Sequence, residues 1–198
     1  MIDSQFARPR GLLGRLVGRM MARQNATLTR RTIAALNLRG DETVIEIGPG
    51  PGVGLLLLAQ SLPNGQVIGA EPAPAMRAQA ASRTRRVSDR VRLLDATANS
   101  LTLPPASVDA VCAVNNVQLW QPLPTSLTVV HDLLRPGGTL ALGVTEHAVL
   151  PGGGSVGSSY DTSLRPSVEE AGFDVTTAVW EPGGNGNELL LLARRSGL

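Results

Sequence analysis

The stretch most suggestive of chemistry is VIEIGPGPGVG, in which every second residue from Gly48 to Gly54 is a glycine. VIEI, before the first glycine, has the character of a buried strand, so the glycines form a strand-to-helix turn. Glycine lets the backbone approach a ligand closely and presents N–H groups at a helix N-terminus. Glu46, two residues before Gly48, adds a negative charge. The pattern therefore predicts a ligand that carries positive charge, such as the ammonium group of an amino acid.

Two phosphate-binding alternatives fit this turn poorly. A dinucleotide fingerprint requires G-x-G-x-x-G, but Val53 or Leu55 stands where the third glycine should be. A phosphate loop requires a Gly-Lys-Ser/Thr ending, and all 18 basic residues of the chain are arginine. A dinucleotide-dependent oxidoreductase is accordingly disfavoured.

Length and composition restrict the class of protein. A chain of 198 residues that is 42% hydrophobic can form one globular domain with its own core. The single cysteine, Cys112, cannot form an internal disulfide, and no apolar run approaches the roughly 20 residues needed to span a bilayer. Arg15 and Arg19 interrupt the leucine-rich start, which argues against a secretory signal. We expect a cytoplasmic protein without stable membrane association.

The order of apolar and helical segments predicts the fold. From Asp41 onward, five short apolar strands alternate with loops and helical segments, a pattern typical of a parallel sheet covered by helices. Residues 173–180 and 188–195 are predicted strands joined by EPGGNGN, which is too short for a crossover helix, so they pair antiparallel. We predict an α/β protein with a Rossmann-like, doubly wound, seven-stranded sheet: five parallel strands and a C-terminal antiparallel hairpin. Residues 1–40 form an N-terminal helical cap, and residues 41–198 form the ligand-binding domain.

At this point the sequence resembles the class I S-adenosylmethionine-dependent methyltransferases, particularly the small bacterial type-11-like group. VIEIGPGPGVG is similar to the first motif of that family, and VIGAEPAPAM matches its second strand with the acidic end. LLDATANSLTLPPASVDAV resembles the third and fourth strands, and LLRPGGTLAL matches the turn into the fifth. The resemblance covers nearly the whole chain from about residue 28 and implies S-adenosylmethionine as cofactor, with S-adenosylhomocysteine as product.

The same resemblance implies roles for individual residues. Glu46 and the glycine loop would hold the methionine part, Glu71 the ribose hydroxyls, and Asp95 the adenine amino group. Glu71 stands where many relatives have aspartate, a tolerated departure because either acid can accept two hydrogen bonds. The expected cofactor-binding residues are Glu46, Gly48, Gly50, Gly52, Glu71, Pro72, Met76, Asp95, Ala96 and Asn115.

The acceptor side is less specific. Methyl transfer from a sulfonium depends mainly on positioning, and a base is needed only when the acceptor must lose a proton. His147, which follows the fifth predicted strand, is the candidate base, with an exposed histidine of no consequence as the alternative. No metal site is expected. The predicted substrate-pocket residues are Met20, Met21, Asn25, Asn116, Gln118, Trp120 and Tyr160.

These expectations lead to a functional hypothesis: methyl transfer from S-adenosylmethionine to a small apolar metabolite. The alternative is a non-catalytic protein of the same fold that binds S-adenosylmethionine or S-adenosylhomocysteine. A nucleic-acid target is disfavoured because NNVQ follows the fourth strand instead of Asn/Asp-Pro-Pro-Tyr/Phe, and no aromatic RNA platform is present. Whether O, N, C or S is methylated, and whether the protein forms a homodimer, stay open.

Overall fold

A seven-stranded sheet organises the protein in the computed structural model, which describes residues 25–148, 155–184 and 186–197. The strands and helices, in chain order, are α1 (Ala26–Ala35), β1 (Thr43–Ile47), α2 (Val53–Ser61), β2 (Gln66–Ala70), α3 (Pro74–Thr84), β3 (Val91–Leu94), β4 (Val108–Val114), α4 (Leu123–Leu133), β5 (Leu134–Thr145), α5 (Val156–Ser159), α6 (Arg165–Glu170), β6 (Phe173–Gly183) and β7 (Gly186–Arg195). Single 3₁₀ turns at Arg85–Val87, Ala98–Ser100 and Val117–Leu119, and a π-helical turn at Tyr160–Leu164, complete the list.

The strand order across the sheet is β3-β2-β1-β4-β5-β7-β6. The neighbouring pairs among β1 to β5 are parallel, whereas β7 is antiparallel to both β5 and β6. The predicted fold class is therefore confirmed. Because the chain builds outward from β1 to β3 and then returns to place β4 on the other side of β1, the strand order reverses between β1 and β4. Ligands bind at the carboxyl ends of the strands at such a point.

The core lies on both faces of the sheet, and β1 shows why. Successive side chains of a strand point to opposite faces, and all but the first residue of β1 are buried. Val44 packs in the cluster that contains α2 and part of α1, whereas Ile45 packs in the larger cluster on the other face. Each fully buried aliphatic side chain contributes about 1.5–3 kcal/mol. The four buried residues of β1 are thus apolar except for Glu46.

Several boundaries differ from the sequence-based expectation. The apolar run TLALGVTE alone predicts a fifth strand over 139–146, but β5 begins at Leu134, because Val108 pairs with Leu134 before the register shifts to Ala110 opposite Thr139. The hairpin strands continue through most of EPGGNGN, up to the pair Gly183 and Gly186. The sequence over 163–172 predicts one helix, whereas the structure has the shorter α6, preceded by the π-helical turn.

Only part of the predicted N-terminal cap falls within the described residues. Helix α1 covers Ala26–Ala35 and packs closely on β5, since a Cβ added to Gly143 would lie 2.2 Å from Thr32 Oγ1. Met20 and Met21, predicted pocket residues, lie outside the described residues. Among the described helices, none is both long and apolar enough to cross a membrane.

Candidate active site

A cavity of about 880 Å³ opens at the carboxyl ends of β1, β2, β4 and β5. This volume lies in the upper part of the range for small-molecule sites, about 300–1,000 Å³. Most of the predicted site residues line it. They are Asn25, Glu46, Gly48, Gly50, Glu71, Pro72, Met76, Ala96, Asn115, Asn116, Gln118, Trp120 and His147.

The glycine turn at the end of β1 is shaped mainly by the protein's own atoms. Gly48, Gly50 and Gly52 all have positive φ, at 68°, 52° and 81°. A Cβ added to Gly48 would lie 2.1 Å from Asn116 Nδ2, and one added to Gly52 would lie 2.8 Å from Ala80 Cα. A Cβ at Gly50 would meet nothing within 4 Å. Gly50 is therefore the turn position that faces open space, and Gly52 packs on α3 without lining the cavity.

Glu46 brings into the cavity wall a carboxyl group with one oxygen that lacks a hydrogen-bond partner among the described residues. Its side chain is buried, and Oε2 has no hydrogen-bond partner among the described residues. Gly54 makes room for it, since a Cβ there would lie 2.0 Å from Glu46 Oε1. Burial, and then the negative charge of Glu71, raise the pKa of Glu46 to about 8. Burial and the nearby Glu46 likewise raise the pKa of the Cys112 thiol. A buried carboxyl without a partner is poised to ionise when a cation enters.

Glu71, at the end of β2, is held by backbone donors. Its Oε2 accepts a hydrogen bond from Gly50 N (3.0 Å), and its Oε1 accepts one from Ala73 N (2.9 Å). Burial raises the pKa of Glu71, while these two hydrogen bonds and the charge of Arg77 lower it. Each carboxylate oxygen keeps acceptor capacity for one more donor. The carboxylate is therefore fixed in orientation at the cavity wall.

Asp95 lies away from the cavity. Its carboxylate is 69% exposed and pairs with Arg77 Nη2 at 2.8 Å, while Arg77 Nη1 donates to the Glu71 carbonyl at 2.7 Å. The adjacent Ala96 does line the cavity. The structure therefore brings Ala96, but not the Asp95 side chain, to the site, because Arg77 holds that carboxylate on the outer edge of the sheet.

Asn115 joins three elements at the end of β4. Its Oδ1 accepts from Thr145 N (2.9 Å) at the end of β5, and its Nδ2 donates to Asn25 Oδ1 (3.0 Å) next to α1. Its φ of 46° lies in the left-handed region that asparagine tolerates better than most residues. The side chain thereby ties the beginning of α1 to the site.

The segment after β4 forms the apolar side of the cavity. Trp120 is buried and donates its indole N–H to Asn116 Oδ1 at 2.7 Å. Gln118 Nε2 donates to the Asn115 carbonyl at 2.8 Å, whereas Gln118 Oε1 is buried and has no partner among the described residues. Leu119, which sequence reasoning missed, lines the cavity and is 47% exposed. Trp120 thus serves both as core and as cavity wall.

His147 and Tyr160, both predicted from the region after β5, have different surroundings. His147 lines the cavity, with 76% of its side chain exposed and Nε2 3.3 Å from Glu146 Oε1. Tyr160 is not brought to the cavity, because it packs in the larger core cluster with its ring edge-on to Trp180 at 6.3 Å between centroids.

A polar rim formed by two loops was also missed from the sequence. Asn99 Nδ2 donates to the Gln121 carbonyl at 2.9 Å, and Thr97 Oγ1 donates to Asn99 Oδ1 at 2.6 Å. All three residues line the cavity. The sequence signal for this rim was the T-x-x-S pattern of Thr97 and Ser100, two residues that cap the 3₁₀ turn at Ala98–Ser100.

Comparison with known proteins agrees with this geometry. Residues 44–138 match the model of a family described as "Methyltransferase domain". The chain is 30% identical over 128 residues to the uncharacterized methyltransferase YdaC of Bacillus subtilis strain 168, an alignment that covers 64% of this chain and 69% of YdaC. The chain belongs to the class I S-adenosylmethionine-dependent methyltransferases. The recognition made from the glycine turn and the strand motifs is confirmed.

Solved structures extend the likeness to the whole fold of this methyltransferase. The [4+2]-cyclase SpnF superposes with a TM-score of 0.75 at 19% identity, covering 87% of this chain and 82% of SpnF. The 1,6-didemethyltoxoflavin-N1-methyltransferase of Burkholderia thailandensis, with bound 1,6-didemethyltoxoflavin and S-adenosylhomocysteine, gives 0.66 at 20% identity, covering 85% and 78%. At such identities these structures support the fold alone.

Proposed function

We propose that this methyltransferase binds S-adenosylmethionine along the carboxyl ends of β2, β1 and β4 and methylates a small apolar molecule. The observation that carries the proposal is Glu46, a buried carboxyl in the cavity wall with one oxygen lacking any partner among the described residues. A buried carboxylate is costly unless a cation or a hydrogen-bond donor compensates it. The ammonium group of the cofactor's methionine part is such a partner.

The cavity residues at the ends of the neighbouring strands suit the ribose and the adenine of the cofactor. Glu71 lies at the end of β2, on one side of β1, with both oxygens oriented and able to accept a further hydrogen bond from a ribose diol. Gly50 leaves open space between the two acids. Ala96, Asn99 and Gln121 line the part of the cavity where we place the adenine. The adenine contact of Asp95 stays a prediction. In the structure the carboxylate of Asp95 pairs with Arg77.

The acceptor site is proposed on the other side of β1, where β4 and β5 end. Leu119, Trp120 and Ala148 provide apolar surface there, and Asn25 closes that side through its hydrogen bond to Asn115. When bound, S-adenosylmethionine supplies a methyl group on a sulfonium sulfur that leaves as a neutral thioether. The contribution of the protein is then to hold the acceptor in line with that methyl group and to exclude water.

His147 is the residue proposed to remove a proton from the acceptor where one must leave. It lines the same side of the cavity, and Glu146 at 3.3 Å from Nε2 can orient the ring. Glu146 is itself held by Asn187 Nδ2 at 2.7 Å. A small-molecule acceptor is supported by the methyltransferase from Burkholderia thailandensis, which has 1,6-didemethyltoxoflavin bound. A reducing, cytoplasmic location is proposed from the single, buried Cys112.

The test is a calorimetric titration with S-adenosylmethionine and with S-adenosylhomocysteine. The variants are Glu71→Ala and, as a matched control on the distant helix α6, Glu169→Ala, whose side chain is 45% exposed. We expect saturable binding to the wild type and to Glu169→Ala, and binding weakened by at least about tenfold in Glu71→Ala, because hydrogen bonds to a charged group contribute about 1.5–3 kcal/mol. Equal binding by Glu71→Ala, or none by the wild type, would refute the assignment.

A further inference from the structure

The side-chain amide of Gln118 is only half satisfied, although it lines the cavity. Its Nε2 donates to the Asn115 carbonyl at 2.8 Å, and its Oε1 is shielded from solvent without a partner among the described residues. Buried polar atoms in folded proteins almost always have a partner, and one that does not calls for an explanation. The missing donor is therefore to be sought in what fills the cavity.

The hydrogen bond to Asn115 decides which end of the amide is unpaired. A backbone carbonyl only accepts hydrogen bonds, so the group that faces it must be the NH₂ of Gln118. A flipped amide would place two acceptors together and lose this contact. The unpaired atom is consequently the carbonyl oxygen, and it requires a donor.

Neighbouring polar groups are already engaged with one another. The indole N–H of Trp120 donates to Asn116 Oδ1 at 2.7 Å, and Asn115 uses Nδ2 for Asn25 and Oδ1 for Thr145. Neither the tryptophan nor Asn115 donates to Gln118 Oε1, which has no partner among the described residues. Around it the wall is apolar, with Leu119 and Trp120 on the same turn.

The position of Gln118 in the fold assigns it to the acceptor and not to the cofactor. It follows β4 on the side of β1 opposite to β2 and Glu71, and it lies three residues beyond Asn115, the last residue expected to contact the cofactor. It also lies on the side where β4 and β5 end and where Thr145, His147 and Ala148 line the cavity. This placement rests on the proposed function, which puts the ribose at Glu71.

We propose that Gln118 determines acceptor specificity by accepting a hydrogen bond from an O–H or N–H group on the methyl acceptor. The proposed methyl acceptor is then a small, largely apolar molecule, for example one with a single ring, that carries a hydroxyl or amino group. The amide oxygen orients that group and takes no proton from it, because an amide is not a base. Gln118 has three rotatable side-chain bonds, so a modest adjustment on ligand entry exposes Oε1 to the cavity.

The experiment uses full-length protein saturated with S-adenosylhomocysteine and two probes of equal ring size, phenol and toluene, titrated by ligand-observed NMR. The quantity compared is the ratio of the toluene dissociation constant to the phenol dissociation constant. Gln118→Met removes the acceptor at similar volume. Gln79→Met on α3 is the matched control, since Gln79 also bonds a backbone carbonyl but does not line the cavity.

We expect the ratio to fall about tenfold in Gln118→Met and to stay within about twofold of wild type in Gln79→Met, in line with one lost hydrogen bond to the ligand. An unchanged ratio in folded Gln118→Met, or no phenol binding by the wild type, overturns the proposal. If Gln118→Met does not fold, a wild-type ratio of about one or less overturns the proposal, because a site that accepts a hydrogen bond must favour phenol over toluene. Failure to bind S-adenosylhomocysteine would instead refute the proposed function.

Discussion

The number of protons released on ligand binding can be predicted from Glu46, because its protonation must change when a cation binds beside it. The pKa is raised from the usual 4.5 to about 8 by burial and by the charge of Glu71. At pH 7 the protonated form then exceeds the ionised form about tenfold, so about 0.9 of a proton is bound to this carboxyl. An ammonium group placed against it favours the ionised form. Binding of S-adenosylhomocysteine at pH 7 should therefore release close to one proton.

The assay is isothermal titration calorimetry at pH 7 in two buffers with different enthalpies of ionisation. The difference between the two apparent binding enthalpies gives the number of protons released. Glu46→Gln keeps the shape of the side chain but cannot ionise, so proton release should fall by about 0.9 relative to wild type. The comparison is made between the two proteins because Glu71, whose pKa burial also raises, lies in the same cavity. Equal proton release by wild type and Glu46→Gln would refute the reasoning.

The same shift predicts how stability depends on pH. The folded-state pKa of Glu46 exceeds its unfolded value, so the folded protein binds more protons between pH 4.5 and about 8. Stability contributed by this group is full below pH 4.5 and is lost as the pH rises through that window. The full elevation corresponds to about 5 kcal/mol as an upper limit. Glu46→Gln should therefore gain stability relative to wild type as the pH is raised from 5 to 8, and a constant difference in urea denaturation would contradict this.

Two further predictions concern the turn and the candidate base. Gly52→Ala should lose more stability in urea denaturation than Gly50→Ala. Both positions have positive φ, but only at Gly52 would the added Cβ also approach backbone, at Ala80. Gly50→Ala should lose about 1–2 kcal/mol from backbone strain and mainly weaken S-adenosylhomocysteine binding. A larger loss in Gly50→Ala would contradict the packing argument. His147→Ala should lower the transfer rate to an acceptor that must lose a proton by about 10²–10⁴-fold, with an unchanged melting temperature because the side chain is largely exposed. An unaltered rate would leave His147 without a catalytic role.

Local patterns in the sequence were enough to predict the sheet and the position of the site. Strand β1 is nearly continuous in apolar residues because it is buried on both faces, and the glycines after it mark the turn. The hairpin followed from a linker too short to cross over. Glu46 was predicted from its place two residues before the glycine turn, and Glu71 from the resemblance to the methyltransferase family; the topology brings both to one edge of the sheet.

What the sequence could not supply were contacts between side chains far apart in the chain. Nothing near Asp95 indicates that Arg77 holds it, and nothing near Asn25 indicates its bond to Asn115, 90 positions away. Tyr160 occurs in a Gly/Ser-rich stretch that is typical of a surface loop. Its ring is nevertheless buried, because the π-helical turn directs it toward Trp180 on β6. Such choices depend on tertiary packing and not on local pattern.

The fold itself does not determine the reaction. SpnF, a [4+2]-cyclase, has the same architecture with a TM-score of 0.75. The glycine turn is also a weak guide to chemistry, since at Gly48, Gly52 and Gly54 the space left by the missing side chain is taken by the protein's own atoms. What the described residues leave unsatisfied is more informative: the carboxyl of Glu46 and the amide oxygen of Gln118. In the proposed function, a cation on the cofactor pairs with the first, and a neutral donor on the methyl acceptor pairs with the second. On that proposal the two atoms divide the cavity into a site for a charged ligand and a site for a largely apolar one, as methyl transfer between two different molecules requires.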